Sequence, residues 1–316
     1  MQPGSSPNIL EHPFDVMRAA LDLKASQTSV ALAILTNCEG GAVRSPGAMM
    51  AIGADGQTYG YLSSGCVEND IKMRALEAIK ANSAINVRYG SGSPFMDIRL
   101  PCGGSIDLTV IPNPNESVLK TLVSKLDQGD CAWLGLTKDR VLVADKSGAI
   151  KSSFKYRPKL NLRTAGKGAE LLTLANLTCN AGFKCEVWTP DDDIITRLSP
   201  LQNCLIEKLT SPNQLPECRD SSETAFVLMF HDADWETSLL SQALLGDAFY
   251  IGAVGSRKTQ SRRCETLRDI GVSQEDISRI KGPIGLVPSM RDASMLSISV
   301  LAEIVQSYHS LENLTK

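Results

Sequence analysis

The sequence contains no apolar run approaching the ~20 residues that a membrane-crossing helix needs, which excludes a helical span. Its only histidines are His12, His231 and His309, too few for a zinc site of the usual Cys/His spacing. The nine cysteines are odd in number and include no C-x-x-C pair, and the N-terminus lacks the basic-then-apolar pattern of a secretory signal. Free thiols in a reducing cytoplasm are the expectation. A strong excess of one charge is missing as well: 32 Lys and Arg face 35 Asp and Glu, for a net charge of −3. That balance gives no general pull towards nucleic acid or an anionic membrane, so any phosphate has to be gripped at a local site.

What is present suffices for two cores. A chain of 316 residues exceeds the usual single-core size, and 43% of it is hydrophobic. The pattern predicts an α/β protein: an N-terminal mixed α+β domain over residues 1–150, a linker over 151–158, and a C-terminal Rossmann-like, doubly wound parallel-sheet domain over 159–316. Pro13 can open a helix. Val30 to Thr36 reads as a strand buried on both faces, and its exit loop, Asn37 to Pro46, carries Gly40, Gly41 and Arg44. Arg44 among glycines can reach a phosphate or carboxylate with two parallel hydrogen bonds, or be an ordinary solvated loop cation. Ala54-Asp55-Gly56-Gln57 reads as the turn of a hairpin that leads into Ser63-Ser64-Gly65-Cys66.

Apolar Val67, Ile71, Ala75 and Ile79 recur at helical spacing, which predicts Cys66 in the first turn of a helix. Unpaired N–H groups and the positive end of the dipole favour a thiolate there, and Gly65 lets a ligand approach the backbone. The competing reading is a small apolar core residue. Cys102 has a similar setting, followed by Gly103 and Gly104, where a tight turn or close backbone approach is expected. If the two cysteines face one cleft, they offer two soft sulfur ligands or an attacking and a resolving thiol.

From Lys159 the chain reads strand, glycine turn, helix, strand: Leu160 to Arg163, then Gly166 and Gly168, then Ala169 to Asn180 and Phe183 to Thr189. This is the opening of a Rossmann unit, with Thr164 where a first glycine would stand and Asp191 as the acid for a ribose. His231 and Asp232 follow a buried strand, Ala225 to Phe230, where open parallel sheets bind ligands. His231 there is either a general base oriented by Asp232 or Asp234, or a loop histidine. Gly255, Ser256, Arg257 and Lys258 turn into another helix. Ser256 can cap it, and its amides with Arg257, Lys258, Arg262 and Arg263 form an anion site or a solvated basic face.

Five stretches in order, Arg44-Ser45-Pro46-Gly47-Ala48-Met49-Met50, Ser64-Gly65-Cys66-Val67-Glu68, Cys102-Gly103-Gly104, Phe249 to Lys258 and Gly282-Pro283-Ile284-Gly285-Leu286, resemble the XdhC/CoxI family. These are accessory proteins of molybdenum hydroxylases such as xanthine dehydrogenase. Members usually carry a basic residue at the position of Met49 and aspartate at that of Thr189, and often histidine at that of Lys167, so this chain departs there. The resemblance implies a protein that binds the molybdenum cofactor, molybdopterin, and delivers it to an apo molybdenum hydroxylase or supports its sulfuration, with a cysteine desulfurase as a further partner. On that reading Cys66 and Cys102 meet the metal, and the basic turn at Gly255 suits the phosphate. Two alternatives stay open: an NAD(P)-dependent oxidoreductase with a cysteine or His231 at the reacting centre, and a nucleotide-binding regulatory module without catalysis. An extended apolar sheet edge could also pair two copies into a homodimer.

Overall fold

The computed structural model describes residues 10–41, 44–63, 67–93, 103–137, 142–144, 150–201, 203–218 and 220–314, together with Gly65 and Leu100. Cys66 and Cys102 lie outside the described residues. The chain divides into two compact units, Met1–Pro158 and Lys159–Lys316.

The first unit runs α1 (Pro13–Ala25), β1 (Val30–Glu39), β2 (Met49–Gly53), β3 (Thr58–Gly60), α2 (Glu68–Ala81), β4 (Ile85–Gly90), β5 (Ser105–Pro112), α3 (Glu116–Asp127), β6 (Ala132–Thr137), β7 (Leu142–Val143) and β8 (Ile150–Tyr156). Pro13 does open α1, where its missing N–H costs no hydrogen bond. Strands β3-β2-β1-β5-β4 form one sheet with antiparallel neighbours. β1 lies in its middle, and the pleat explains why its Val30 to Leu35 part is apolar throughout. Val30, Leu32 and Ile34 join α1, α3 and a second sheet, β7-β6-β8, in one core, while Ala31, Ala33 and Leu35 join the apolar stripe of α2 in another. Each such fully buried leucine or isoleucine contributes roughly 1.5–3 kcal/mol.

Two expectations need correction here. Residues 151–156 are not a linker but most of β8, paired antiparallel with β6 along its length. Phe154 and Tyr156 are buried in the first core, and such burial outweighs the polar look of Lys151, Ser152 and Ser153. Helix α2 begins at Glu68 with Val67 as its N-cap, so its first turn lies beyond Cys66.

The second unit runs β9 (Asn161–Gly166), α4 (Ala169–Asn180), β10 (Lys184–Thr189), α5 (Asp192–Leu198), β11 (Cys204–Lys208), β12 (Thr224–Met229), α6 (Ala233–Leu244), β13 (Tyr250–Ala253), α7 (Arg257–Asp269), α8 (Gln274–Ser278), β14 (Ile280–Lys281) and α9 (Ala293–Leu314). All neighbours in its sheet are parallel, in the order β11-β10-β9-β12-β13-β14. This is the doubly wound Rossmann order, which reverses between β9 and β12. Leu162, Val187 and Val227 face one core with α4 and α9, and Ala165, Trp188 and Phe226 face the other with α6 and α7. Both faces are covered, as a parallel sheet requires. β9 continues to Gly166, past the expected end at Arg163. Thr164 is therefore a buried strand residue whose hydroxyl donates to the Val227 carbonyl at 3.0 Å, and no part of the turn.

Candidate functional site

Strand direction decides which loops meet. In the first unit β3 and β4 run parallel in sense to β1, while β2 and β5 run against it. The exits of β1, β3 and β4 and the entries of β2 and β5 therefore share one edge of the sheet. That edge gathers the segments carrying Gly40, Gly41 and Arg44, then Ser63 and Gly65, and then Gly90, Gly103 and Gly104. Close backbone contact locks part of it. A Cβ on Gly104 would stand 2.5 Å from the Glu39 carbonyl oxygen, and one on Gly90 would stand 2.1 Å from the Gly104 carbonyl oxygen. Gly65 and Gly103 differ: both are exposed, hold φ of +93° and +70°, and would leave an added Cβ with nothing within 4 Å among the described residues beyond their chain neighbours. These are the immediate neighbours of Cys66 and Cys102.

Arg44 is half-buried at this edge. Its guanidinium donates to the Glu11 carbonyl at 2.6 Å, lies 3.7 Å from the Glu11 carboxylate and stacks 4.8 Å over the Tyr61 ring. Tyr61 donates to the same carboxylate, a hydrogen bond that pushes its phenol up from its ordinary value. The Arg44 Nε is buried and meets no acceptor among the described residues. Beside it a cleft of about 330 Å³ is lined by Pro13, Arg44, Ser45, Gly47, Lys155 and Tyr156, among others. Sequence reasoning missed Lys155 and Tyr156, which it assigned to the linker. The period-2 run Ser152, Phe154, Tyr156 was the signal that could have found them. Tyr156 donates to the Gly47 carbonyl at 2.8 Å and so fixes the loop to β8.

No side-chain bond caps α2 at its N-cap Val67, and the Glu68 carboxylate instead gathers the amides of the segment that leads into it. The Glu68 carboxylate accepts from the backbone N–H of Leu62, Ser63 and Val67 at 3.2, 2.6 and 3.2 Å and from the Ser63 hydroxyl at 2.7 Å. Burial alone would raise its pKa, but these bonds together hold it below the ordinary value. Ser63 thus serves Glu68 instead of capping the helix. Arg88 is engaged too, donating to Asp107 at 3.0 Å and Glu39 at 2.7 Å, which ties the ends of β4, β5 and β1 together.

In the second unit the loops after β9, β12 and β13 leave the carboxyl edge at the crevice of the Rossmann order. Gly166 lies against the backbone of Met229, where a Cβ would stand 2.8 Å from the carbonyl oxygen, and Gly168 is the N-cap of α4 with φ +86°. Lys167 is exposed, 6.0 Å from the Phe230 ring centroid. Several residues expected to hold a ligand are committed to the fold. Asp191 caps α5 by accepting from the Asp193 N–H at 3.0 Å. Asp232 caps α6 by accepting from the Asp234 N–H at 3.1 Å, and His231 is exposed beside it. Ser256 does cap α7, accepting from the Thr259 N–H at 3.1 Å, and Arg257, Lys258 and Arg262 are exposed. Gly255 is required by its φ of +137°. Arg263 is no anion donor: it is buried and donates to Glu236 at 3.1 Å and to the Val254 carbonyl at 2.9 Å. The Gly282 to Leu286 stretch packs against α9, where the Val287 N–H donates to Ser299 at 2.8 Å.

No helix among the described residues is long and apolar enough to cross a membrane. A family model described as the XdhC and CoxI family matches residues 23–90, and one described as the XdhC Rossmann domain matches residues 162–304. The chain is 32% identical to the molybdenum cofactor insertion chaperone PaoD of Escherichia coli K12, over 92% of this chain and 86% of the relative. It is 24% identical to a probable xanthine dehydrogenase component of Bacillus subtilis 168, over 90% and 95% of the two chains. A crystal structure described as a xanthine dehydrogenase from Bacillus halodurans superposes with a TM-score of 0.75 at 20% identity, covering 93% of this chain and 96% of that one, and has the same fold. Matches to both units, and a relative of this identity spanning most of both chains, establish that this protein belongs to the XdhC/CoxI family.

Proposed function

We propose that this protein binds the molybdenum cofactor as cargo and delivers it to an apo molybdenum hydroxylase of the xanthine dehydrogenase type. The observation that carries this reading is the convergence of the Arg44, Gly65 and Gly103 segments on one edge of the first sheet. The cargo is anionic through its phosphate, and its metal is held by sulfur. Arg44, with an Nε that meets no acceptor among the described residues, and Lys155 across the cleft suit the anionic end. Cys66 and Cys102, each next to an exposed left-handed glycine, supply soft ligands for the metal. The PaoD relative, described as a molybdenum cofactor insertion chaperone, supports the same role. We extend the reading to a cofactor-handling protein rather than a catalyst, working in the cytoplasm, as a homodimer, with a cysteine desulfurase supplying sulfur before delivery.

The test is anaerobic mixing of the reduced, full-length protein with the cofactor, followed by gel filtration and assay of co-eluting molybdenum and pterin. Wild type retains both, Cys66→Ala loses the metal, and Arg44→Ala weakens retention of the pterin. A folded wild type that retains neither sinks the carrier reading.

A second reading is favoured by the strand order of the second unit, whose reversal at β9 and β12 makes a crevice of the nucleotide-binding kind. The exposed Lys167, Arg257 and Lys258 suit a phosphate there. An NAD(P)-dependent oxidoreductase fits less well, because Asp191 caps α5 where a ribose ligand is needed. Titration with NAD and with mononucleotides, followed by calorimetry, separates a nucleotide site from a cofactor carrier with an empty crevice.

A further inference from the structure

The amino end of the second sheet, opposite the crevice, holds a group of side chains that the proposed function does not use. Cys185 on β10 and Cys204 on β11 are direct partners in a parallel ladder, so their side chains leave the sheet on the same face. Helix α4 packs on that face, and Cys179 in its last turn completes the set. The three Sγ atoms all lie within 4.8 Å of one another. Cys179 and Cys185 are buried and Cys204 is half-buried. All three are free thiols.

We propose that Cys179, Cys185 and Cys204 form a binding site for a thiophilic d10 metal ion, of the Zn(II) or Cu(I) kind. Metal–sulfur bonds of about 2.3 Å to three ligands place the sulfurs about 4 Å apart, so the observed arrangement needs to close by under about 1 Å. The donor set is sulfur alone among the described residues, which selects soft ions and disfavours Mg(II) or Ca(II). Asn203 braces the surroundings: its side-chain amide donates to the Cys179 carbonyl at 3.1 Å and the Phe183 carbonyl at 2.9 Å, tying the helix end to the entry of β11. Half-exposed Cys204 gives an ion its way in. Binding replaces S–H by S–metal bonds and releases the thiol protons to solvent. With three thiolates a divalent ion leaves one net negative charge in this apolar setting and a monovalent ion leaves two.

The experiment uses full-length protein, stripped with a chelator and kept reduced by a non-thiol reductant. Anaerobic titration with Co(II), as a reporter for Zn(II), and with Cu(I) against a competing chelator reads stoichiometry and affinity. One ion per chain is expected, with sulfur-to-metal charge-transfer absorption. Cys204→Ser, checked for an unchanged melting profile, is expected to lose affinity by at least about tenfold. The double variant Cys66→Ala/Cys102→Ala is expected to retain the ion, which keeps this result separate from the cargo experiment. A tetrahedral Co(II) spectrum with tight Zn(II) binding, or preferential three-coordinate Cu(I), each supports the site and names its ion. The site is overturned if folded, reduced wild type retains neither ion, if Cys204→Ser binds as wild type does, or if the double variant loses the ion.

Discussion

The two units each gather glycine-bearing loops at one end of a sheet, and they use them differently. At the edge of the first sheet, Gly65 and Gly103 are exposed, with room for a Cβ among the described residues, and Arg44 keeps a buried nitrogen that meets no acceptor among them. At the crevice of the second, Asp191, Asp232 and Ser256 are helix caps and Arg263 is locked to Glu236. The difference follows from what comes next in the chain. In the Rossmann unit polar residues closely follow strand ends and meet helix starts, whose orphan N–H groups claim the nearest oxygen. In the first unit two of the three segments lead into strands, which make no such claim. The third leads to α2, whose start has no side-chain cap bond and where Glu68 holds the preceding Leu62, Ser63 and Val67 amides.

The largest effect should come from the interior of the second unit. Arg163 and Asp220 form a two-pronged ion pair at 2.7 and 2.5 Å, each about 1% exposed, with the guanidinium between the Trp188 and Phe226 rings. Asp220→Ala leaves a buried charge uncompensated and should cost about 3–5 kcal/mol. Urea unfolding with proteolytic mapping should show the loss in residues 159–316 while the first unit stays protected. Equal loss in both units would break the comparison.

Next comes Gly90→Ala, which combines a φ of +84° with a Cβ driven against the Gly104 carbonyl. About 2 kcal/mol or more of destabilisation is expected in the first unit, with a parallel fall in cofactor retention, whereas Gly65→Ala should change stability less because its surroundings are open. Glu68→Ala should cost about 1–2 kcal/mol at neutral pH through the lost hydrogen bonds. The folded pKa is depressed, so this contribution is full above the ordinary glutamate value of 4.5 and disappears as pH falls through the lower folded value. Wild-type and variant unfolding curves should therefore converge in acid, and a gap that widens there would reverse the sign. Smallest is Asp191→Ala, about 1 kcal/mol for a lost cap. Nucleotide affinity, measured by calorimetry, should not move. A large drop in that affinity would return Asp191 to the ligand and erase the contrast.

Local signals in the sequence were legible where one element settles its own conformation. The buried strand at Val30, the Asp-Gly hairpin before Gly60, the Pro13 helix start and the Ser256 cap all follow from short-range chemistry. Strand β8 was misread because three polar residues open it, and only its partners on β6 and in the core decide its state. Arg263 reads as a surface cation until α6 is placed beside it. The cysteine cluster was invisible for a related reason: no C-x-x-C spacing brings Cys179, Cys185 and Cys204 together, only a parallel ladder and the helix across it. Of the expected site, the segments carrying Arg44, Gly65, Gly103 and Gly104 fall on one edge of the first sheet, while Cys66 and Cys102 lie outside the described residues.

The sheets are also unequal at their sides. β3 is three residues long and β14 only two, so each large sheet has one side that offers almost no backbone for another strand, leaving β4 and β11 as the longer sides. Strand addition at the β3 or β14 side has only two or three residues of backbone to pair with, so each large sheet is closed to extension on that side.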